Sequence, residues 1–255
     1  MTAPAKTHPA APPIQVTTLR KSFGKQKVLN GLNLEVAEGE TLSVLGRSGT
    51  GKSVLLKLIV GLQPPDSGSI RVHGQEITGH GREQLNEIRK TIGFLFQNSA
   101  LYDSLTVEEN VAFPLARHGD LSDGERKERA RELLSTVGME KDLDKLPGQI
   151  SGGMQKRVGL ARALALSPNI LLFDEPTAGL DPITASEIDA LILKMQKERN
   201  LTSIVVTHDL PSARTVSDRL ALMRDGQILI QGSFKDLQAS KDEFVVQFLN
   251  RNSRR

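Results

Sequence analysis

Lys52 and Ser53 close the run Gly46-Arg47-Ser48-Gly49-Thr50-Gly51-Lys52-Ser53, and residues of these types in this order can hold a polyphosphate. The glycines permit backbone of positive φ that turns successive N–H groups inward. A helix opening at the lysine adds positive partial charge from its N-terminus. The ammonium can reach the β- and γ-phosphates of a nucleotide, and the serine hydroxyl can hold Mg²⁺. Far along the chain, Ile170-Leu171-Leu172-Phe173-Asp174-Glu175 is an apolar run ending in two carboxylates. Asp174 is placed to assist Mg²⁺ through water. Glu175 is placed to act as general base on an attacking water, a role worth ~10²–10⁴ in rate. A third group, Ser151-Gly152-Gly153-Met154-Gln155, opens a helical stretch. Ser151 fits a helix cap. The two glycines each cost ~1 kcal/mol against alanine in a helix, so some group is expected to approach the backbone closely, and the N–H groups of a helix start suit a phosphate.

The elements that position these groups can be read from periodicity. Strands are expected at Ile14–Val16, Val28-Leu29, Leu32–Val36 and Thr41–Leu45, separated by turn residues Asn30-Gly31 and Glu38-Gly39. Val54–Val60 reads as the helix after the glycine-rich turn, Ser69–Val72 as a strand and Ile92–Phe96 as a buried strand. From about residue 106 to 165 strand signals vanish. Helices are expected over Ser122–Val137, with Ser122 and Glu125 forming a capping box, and over Gly152–Ala165. Strands return at Ile170–Phe173 and Ser203–Thr207 around a helix at Ile183–Lys197, a parallel βαβ alternation. Asp225-Gly226 between two apolar runs predicts a hairpin. The picture is an α/β core with an inserted helical subdomain.

Composition bounds the rest. The chain has 255 residues, 38% apolar and 25% charged, which suits a folded domain. Without cysteine it can form neither disulfides nor thiolate metal sites. No apolar run approaches the ~20 residues that span a bilayer, and residues 1–13 hold no signal-peptide core but read as a flexible Pro/Ala tail. A cytosolic protein is expected. The net charge of +3 is a weak pointer to anionic surfaces. The basic end reads as a solvated tail.

The glycine-rich loop, Ile150-Ser151-Gly152-Gly153-Met154-Gln155, Asp174-Glu175-Pro176, Ala178-Gly179-Leu180-Asp181 and Thr207-His208-Asp209 stand in the order found in ATP-binding cassette (ABC) ATPases, which this chain resembles over residues 14–245. The resemblance implies an α/β fold: a P-loop NTPase core with an antiparallel β subdomain and an inserted α-helical subdomain, about 98–165, followed by a C-terminal tail, 246–255. It implies ATP and Mg²⁺ as ligands. It places Ser151, Gly152 and Gly153 on the γ-phosphate of ATP bound to the opposite subunit, so function needs a head-to-tail homodimer. Phe23 falls where the family stacks an aromatic ring on adenine. Gln97 matches the loop glutamine that senses Mg²⁺ and the membrane partner. His208 matches the switch histidine on the γ-phosphate, and Asp181 the loop that couples the two sites. Met154 departs from the commoner glutamine of the signature and cannot repeat its polar contacts.

Met154, the loop 46–57 and Ser99–Leu115 look most like ATPases of Mla and Mce type, which move phospholipids between bacterial membranes. That likeness implies a peripheral subunit on the cytoplasmic side of the inner membrane, an integral membrane permease, a substrate-binding lipid carrier and no nucleic acid. Leu101, Tyr102 and Leu105 are expected to form a socket for a permease helix. The alternatives are the ATPase of an amino-acid or lipoprotein transporter, or a soluble ABC ATPase acting on ribosomes or DNA. The single cassette without coiled coils speaks against the last.

Overall fold

The computed structural model describes residues 11–118 and 120–252. β1 (Ile14–Phe23) and β2 (Gln26–Val36) pair antiparallel, β3 (Thr41–Leu45) runs into α1 (Lys52–Ile59), and β4 (Ser67–Val72) with the short β5 (Gln75–Glu76) returns beside β1. α2 (Arg82–Lys90) leads to β6 (Ile92–Leu95). α3 (Val107–His118), α4 (Asp123–Thr136) and α5 (Gly152–Ala163) follow without a strand. Then come β7 (Ile170–Asp174), α6 (Pro182–Arg199), β8 (Thr202–Thr207), α7 (Leu210–Val216), β9 (Arg219–Arg224), β10 (Gln227–Gly232), α8 (Phe234–Gln238) and α9 (Glu243–Asn252).

Two sheets result. One is antiparallel, in the order β2-β1-β4-β5; the other runs β10-β9-β3-β8-β7-β6 and is parallel except for the β9–β10 hairpin. The expected α/β architecture, with an antiparallel sheet and an inserted helical segment, is what the chain forms. Every residue of β3, β7 and β8 is buried, as strands covered on both faces must be. One apolar core lies between the antiparallel sheet, α1 and one face of the mixed sheet. A second joins α3, α4, α5 and α6 to the other face. The capping box at Ser122 and Glu125 is present.

Three expectations need correction. Asn30-Gly31 is no turn: β2 runs straight through it, and Gly31 is skipped in the pairing with β1, where Leu19 faces Leu32 and Arg20 faces Asn30. Gly31 has φ of 80°, so the residue that would suit a turn makes a β-bulge instead. Residues 246–252 are not a tail but continue α9, whose Val245, Phe248 and Leu249 are buried with Leu45, Leu210 and Leu222; 253–255 lie outside the described residues. The N-terminal tail assigned to 1–13 lies outside them as far as residue 10, and Pro13 is already buried, its carbonyl accepting from the His73 N–H at 2.9 Å.

Candidate nucleotide site

In a parallel sheet the carboxyl ends of the strands face one way, and ligands sit beyond them. Here β3, β8, β7 and β6 are successive neighbours. Their carboxyl ends deliver, side by side, the glycine-rich loop, His208, Asp174-Glu175 and the segment leading to Gln97. Strand order alone therefore gathers residues that are far apart in sequence.

The loop ends on Gly51, whose φ of 100° is left-handed and which offers no side-chain cap to α1. A Cβ there would stand 2.8 Å from Val28 Cγ1, so the position requires glycine and leaves the first N–H groups of α1 for a ligand. Lys52 is only 5% exposed. Its ammonium donates to the carbonyls of Gly46 at 2.9 Å and Arg47 at 3.2 Å and lies 3.7 Å from Glu175 Oε1. Burial holds its pKa below the ordinary lysine value, against the opposing influence of Glu175 and Asp174.

Ser53 Oγ donates to Asp174 Oδ1 at 2.6 Å. The Asp174 carboxyl is pushed up by burial and by Glu175, which outweigh the Ser53 hydrogen bond. Hydroxyl and carboxylate oxygens in contact are the donors a hard divalent cation takes, and such a concentration of negative charge suits one. Among the described residues no cluster of three or more His, Cys, Asp or Glu could cage a metal.

Glu175 sits in a strained turn, with φ of 48°. Its N–H donates to the Val206 carbonyl at 2.9 Å. Oε2 lies 2.9 Å from His208 Nδ1 and accepts from the Thr207 hydroxyl at 3.2 Å and the His208 N–H at 3.4 Å. Phe23, at the end of β1, is 46% exposed. It is therefore not a core residue; its ring is half-exposed, with the Lys21 ammonium 5.5 Å from its centroid. Phe23, Ser48, Gly49, Gly51, Lys52, Ser53, Gln97, Glu175 and His208 line one cleft of about 390 Å³.

Other sequence candidates lie outside this cleft. Gly46 is buried beneath the loop, where a Cβ would meet the Met223 carbonyl at 2.9 Å. Arg47 lays its guanidinium over the Phe244 ring of α9, 5.2 Å from the centroid. The Thr50 hydroxyl donates to the Arg47 carbonyl at 2.9 Å. Asp181 caps α6, accepting from the N–H groups of Ile183 and Thr184. Ser151 caps α5, accepting from the Met154 N–H at 3.3 Å. A Cβ on Gly153 would come within 2.4 Å of Thr184 Cγ2, so the group that approaches this glycine belongs to the same chain. Met154 packs partly buried against the helical core.

The socket expected of Leu101, Tyr102 and Leu105 is redrawn. Leu101 turns toward the helical core, and Leu105 is half-buried away from the groove. Tyr102 alone of the three lines an apolar groove of about 410 Å³, with Phe94, Phe96, Phe113 and Pro114. Its ring lies 4.6 Å from that of Phe113. α3 supplies the second aromatic, which sequence proximity to Gln97 does not reveal.

Sequence reading also passes over Thr207, which orients Glu175, and Lys156. The latter is 4% exposed, and burial pushes its amine down to about 8 despite Asp174 and Glu175. A signal exists: Gly153, Lys156 and Leu160 share the buried face of α5, and a lysine on a helix stripe of that kind is rare.

Comparison with known proteins bears on this site. The model of the ABC transporter family matches residues 29–178. Over 237 residues the chain is 41% identical to the "Probable ribonucleotide transport ATP-binding protein mkl" of Mycobacterium leprae, covering 93% of this chain and 68% of that protein. It is 42% identical over 219 residues to the methionine import ATP-binding protein MetN of Rhizobium johnstonii, covering 86% of this chain and 60% of that one. The chain thus spans 60% to 68% of the length of these relatives. Among solved structures, the dimeric post-hydrolysis state of the ATP-binding cassette MJ0796, bound to ADP and Pi, matches with a TM-score of 0.80 and 36% identity, covering 86% of this chain and 98% of that one. CbiO1 of Clostridium perfringens, part of the complex cbiONQ, matches with a TM-score of 0.81 and 33% identity, over 96% and 97%.

Proposed function

The chain belongs to the ABC transporter family as an ATP-binding, ATP-hydrolysing subunit, and on that premise we propose that it drives a phospholipid transporter as one half of a homodimer. Phe23 stacks on adenine. The loop N–H groups and Lys52 take the β- and γ-phosphates. Ser53, Asp174 and Gln97 hold Mg²⁺, which when bound neutralises phosphate charge. Glu175 accepts the proton of the attacking water, and His208 holds Glu175 in place while facing the γ-phosphate. The observation that carries the dimer is that Ser151, Gly152 and Gly153 do not line the cleft formed by the glycine-rich loop, Gln97, Glu175 and His208 of the same chain. Ser151 and Gly152 are exposed and would close the cleft of a second copy.

Lipid cargo is supported by Met154 and the segment 99–115. Methionine import by a relative favours an amino acid as the competing cargo. A purified membrane complex separates them. ATPase stimulation and label transfer between vesicles by phospholipid support the first; stimulation by methionine without lipid transfer overturns it. Among the described residues no helix is long and apolar enough to cross a membrane. We place the chain as a peripheral subunit at the cytoplasmic face of the inner membrane, bound to a permease that works with a lipid carrier.

The groove at Tyr102 and Phe113 is the proposed seat of a permease helix. Large side chains in such pockets cost at least ~2 kcal/mol on truncation, about 30-fold in affinity. Tyr102→Ala with Phe113→Ala should release the subunit from the solubilised complex while ATP binding stays native. Undiminished co-purification would place the permease elsewhere.

A further inference from the structure

Lys156 lies on α5, beyond the Ser151 cap, and is buried against the turn that carries Glu175. Its ammonium donates to the Gln97 carbonyl at 2.5 Å and to the Glu175 carbonyl at 3.1 Å. It forms no ion pair among the described residues, unlike Lys52 with Glu175 or Arg157 with Glu187. Burying an ammonium against neutral carbonyls is costly, and a well-packed apolar side chain would fill the same space at less cost. What a lysine supplies there is several donors on one atom, able to bridge the two backbone segments just past the paired ends of β6 and β7, where the register Leu95–Phe173 stops.

Both segments are unusual. Glu175 has a left-handed φ of 48°, and on the other side Ser99 and Ala100 have φ of 57° and 49°. Further along α5, Arg162 donates to the carbonyls of Ser99 at 2.5 Å and Ala100 at 2.7 Å. Thus α5 holds the segment 97–100 by two cations. That segment borders the Tyr102 groove, where Ala100 and Arg162 are lining residues. Only Lys156 also reaches the Glu175 turn.

We infer that Lys156 is a positioning residue for hydrolysis, locking the peptide of Glu175 to that of Gln97 so that the groove segment and the water-activating carboxylate move together. The inference rests on the proposed role of Glu175. A displaced peptide carries its side chain with it, and an error of about 1 Å at a reacting group costs about 10²-fold in rate. Of the groups proposed to bind the nucleotide, Lys156 leaves Phe23, Lys52 and the loop untouched and meets Gln97 only at its backbone carbonyl, not at the side chain assigned to Mg²⁺.

The test uses the assembled transporter in vesicles. Lys156→Met keeps an unbranched side chain, one atom shorter, and removes the donors; Lys156→Gln has the reach of methionine and keeps two N–H donors. Glu175→Gln runs in parallel. For Lys156→Met, kcat is expected to fall about 10²-fold with KM for ATP and binding of a non-hydrolysable ATP analogue unchanged. Lys156→Gln should recover most of the loss. Three outcomes overturn the inference: Lys156→Met turning over like the wild type; Lys156→Gln being as impaired as Lys156→Met; or kcat, analogue binding and melting temperature falling together, which marks a residue that merely holds the core. If Glu175→Gln stays active, the reading of Glu175 itself fails. If Glu175→Gln is dead while Lys156→Met is not, only the role of Lys156 fails.

Discussion

Glu175→Gln is expected to leave ATP binding intact and to cut turnover of the reconstituted complex by about 10²–10⁴-fold, the usual worth of a positioned general base. The substitution changes little else. Glu175 Oε2 is occupied by Thr207, the His208 N–H and His208 Nδ1, while Oε1 points toward Lys52 at 3.7 Å. An amide retains an oxygen that can accept from Thr207 and the backbone, so the strained turn keeps its anchors. It cannot take a proton from water. It also removes a negative charge from beside the phosphates, so affinity for ATP should hold or rise, and the dimer should accumulate with nucleotide trapped. Size-exclusion chromatography in ATP reads the dimer, and phosphate release reads the turnover. Near wild-type phosphate release would strip Glu175 of this role.

Much of the site was legible because strands buried on both faces and a glycine-rich turn leave strong local patterns. The apolar runs of β3, β7 and β8 and the Asp225-Gly226 hairpin each follow from a few adjacent residues. What was misread depends on partners distant in sequence. Asn30-Gly31 satisfies a turn and a bulge equally, since both need a residue at positive φ; only the strand beside it decides. α9 carries Phe244, Val245, Phe248 and Leu249 at helical spacing, but the basic residues that follow suggest a solvated end. The arginine of the glycine-rich loop could not be separated from its glycines by motif, yet its guanidinium rests on Phe244, a ring that Arg224 also covers at 4.8 Å. Lys156 carries only the faint signal of its stripe with Gly153 and Leu160; its burial is a property of how α5 packs against the segments of Gln97 and Glu175.

Lys52→Ala is expected to weaken equilibrium binding of labelled ATP by about 10- to 150-fold, the equivalent of one hydrogen bond to a charged group at ~1.5–3 kcal/mol. In the structure the ammonium rests on the Gly46 and Arg47 carbonyls, within the loop that would wrap the phosphates, and a modest swing would bring it to a bound β- or γ-phosphate. A competing effect must be weighed. Removing one partner of a buried ion pair leaves the other charge exposed to a low dielectric, which can cost ~3–5 kcal/mol of stability. At 3.7 Å the Lys52–Glu175 contact is long, and Glu175 retains Thr207 and His208, so the stability loss should fall well below that figure and the binding loss should dominate. Circular dichroism and thermal melting of the nucleotide-free protein separate the two. A native spectrum with weakened binding assigns the loss to phosphate contact, whereas unchanged affinity would mean that the loop N–H groups and the N-terminus of α1 suffice to hold the phosphates without the lysine.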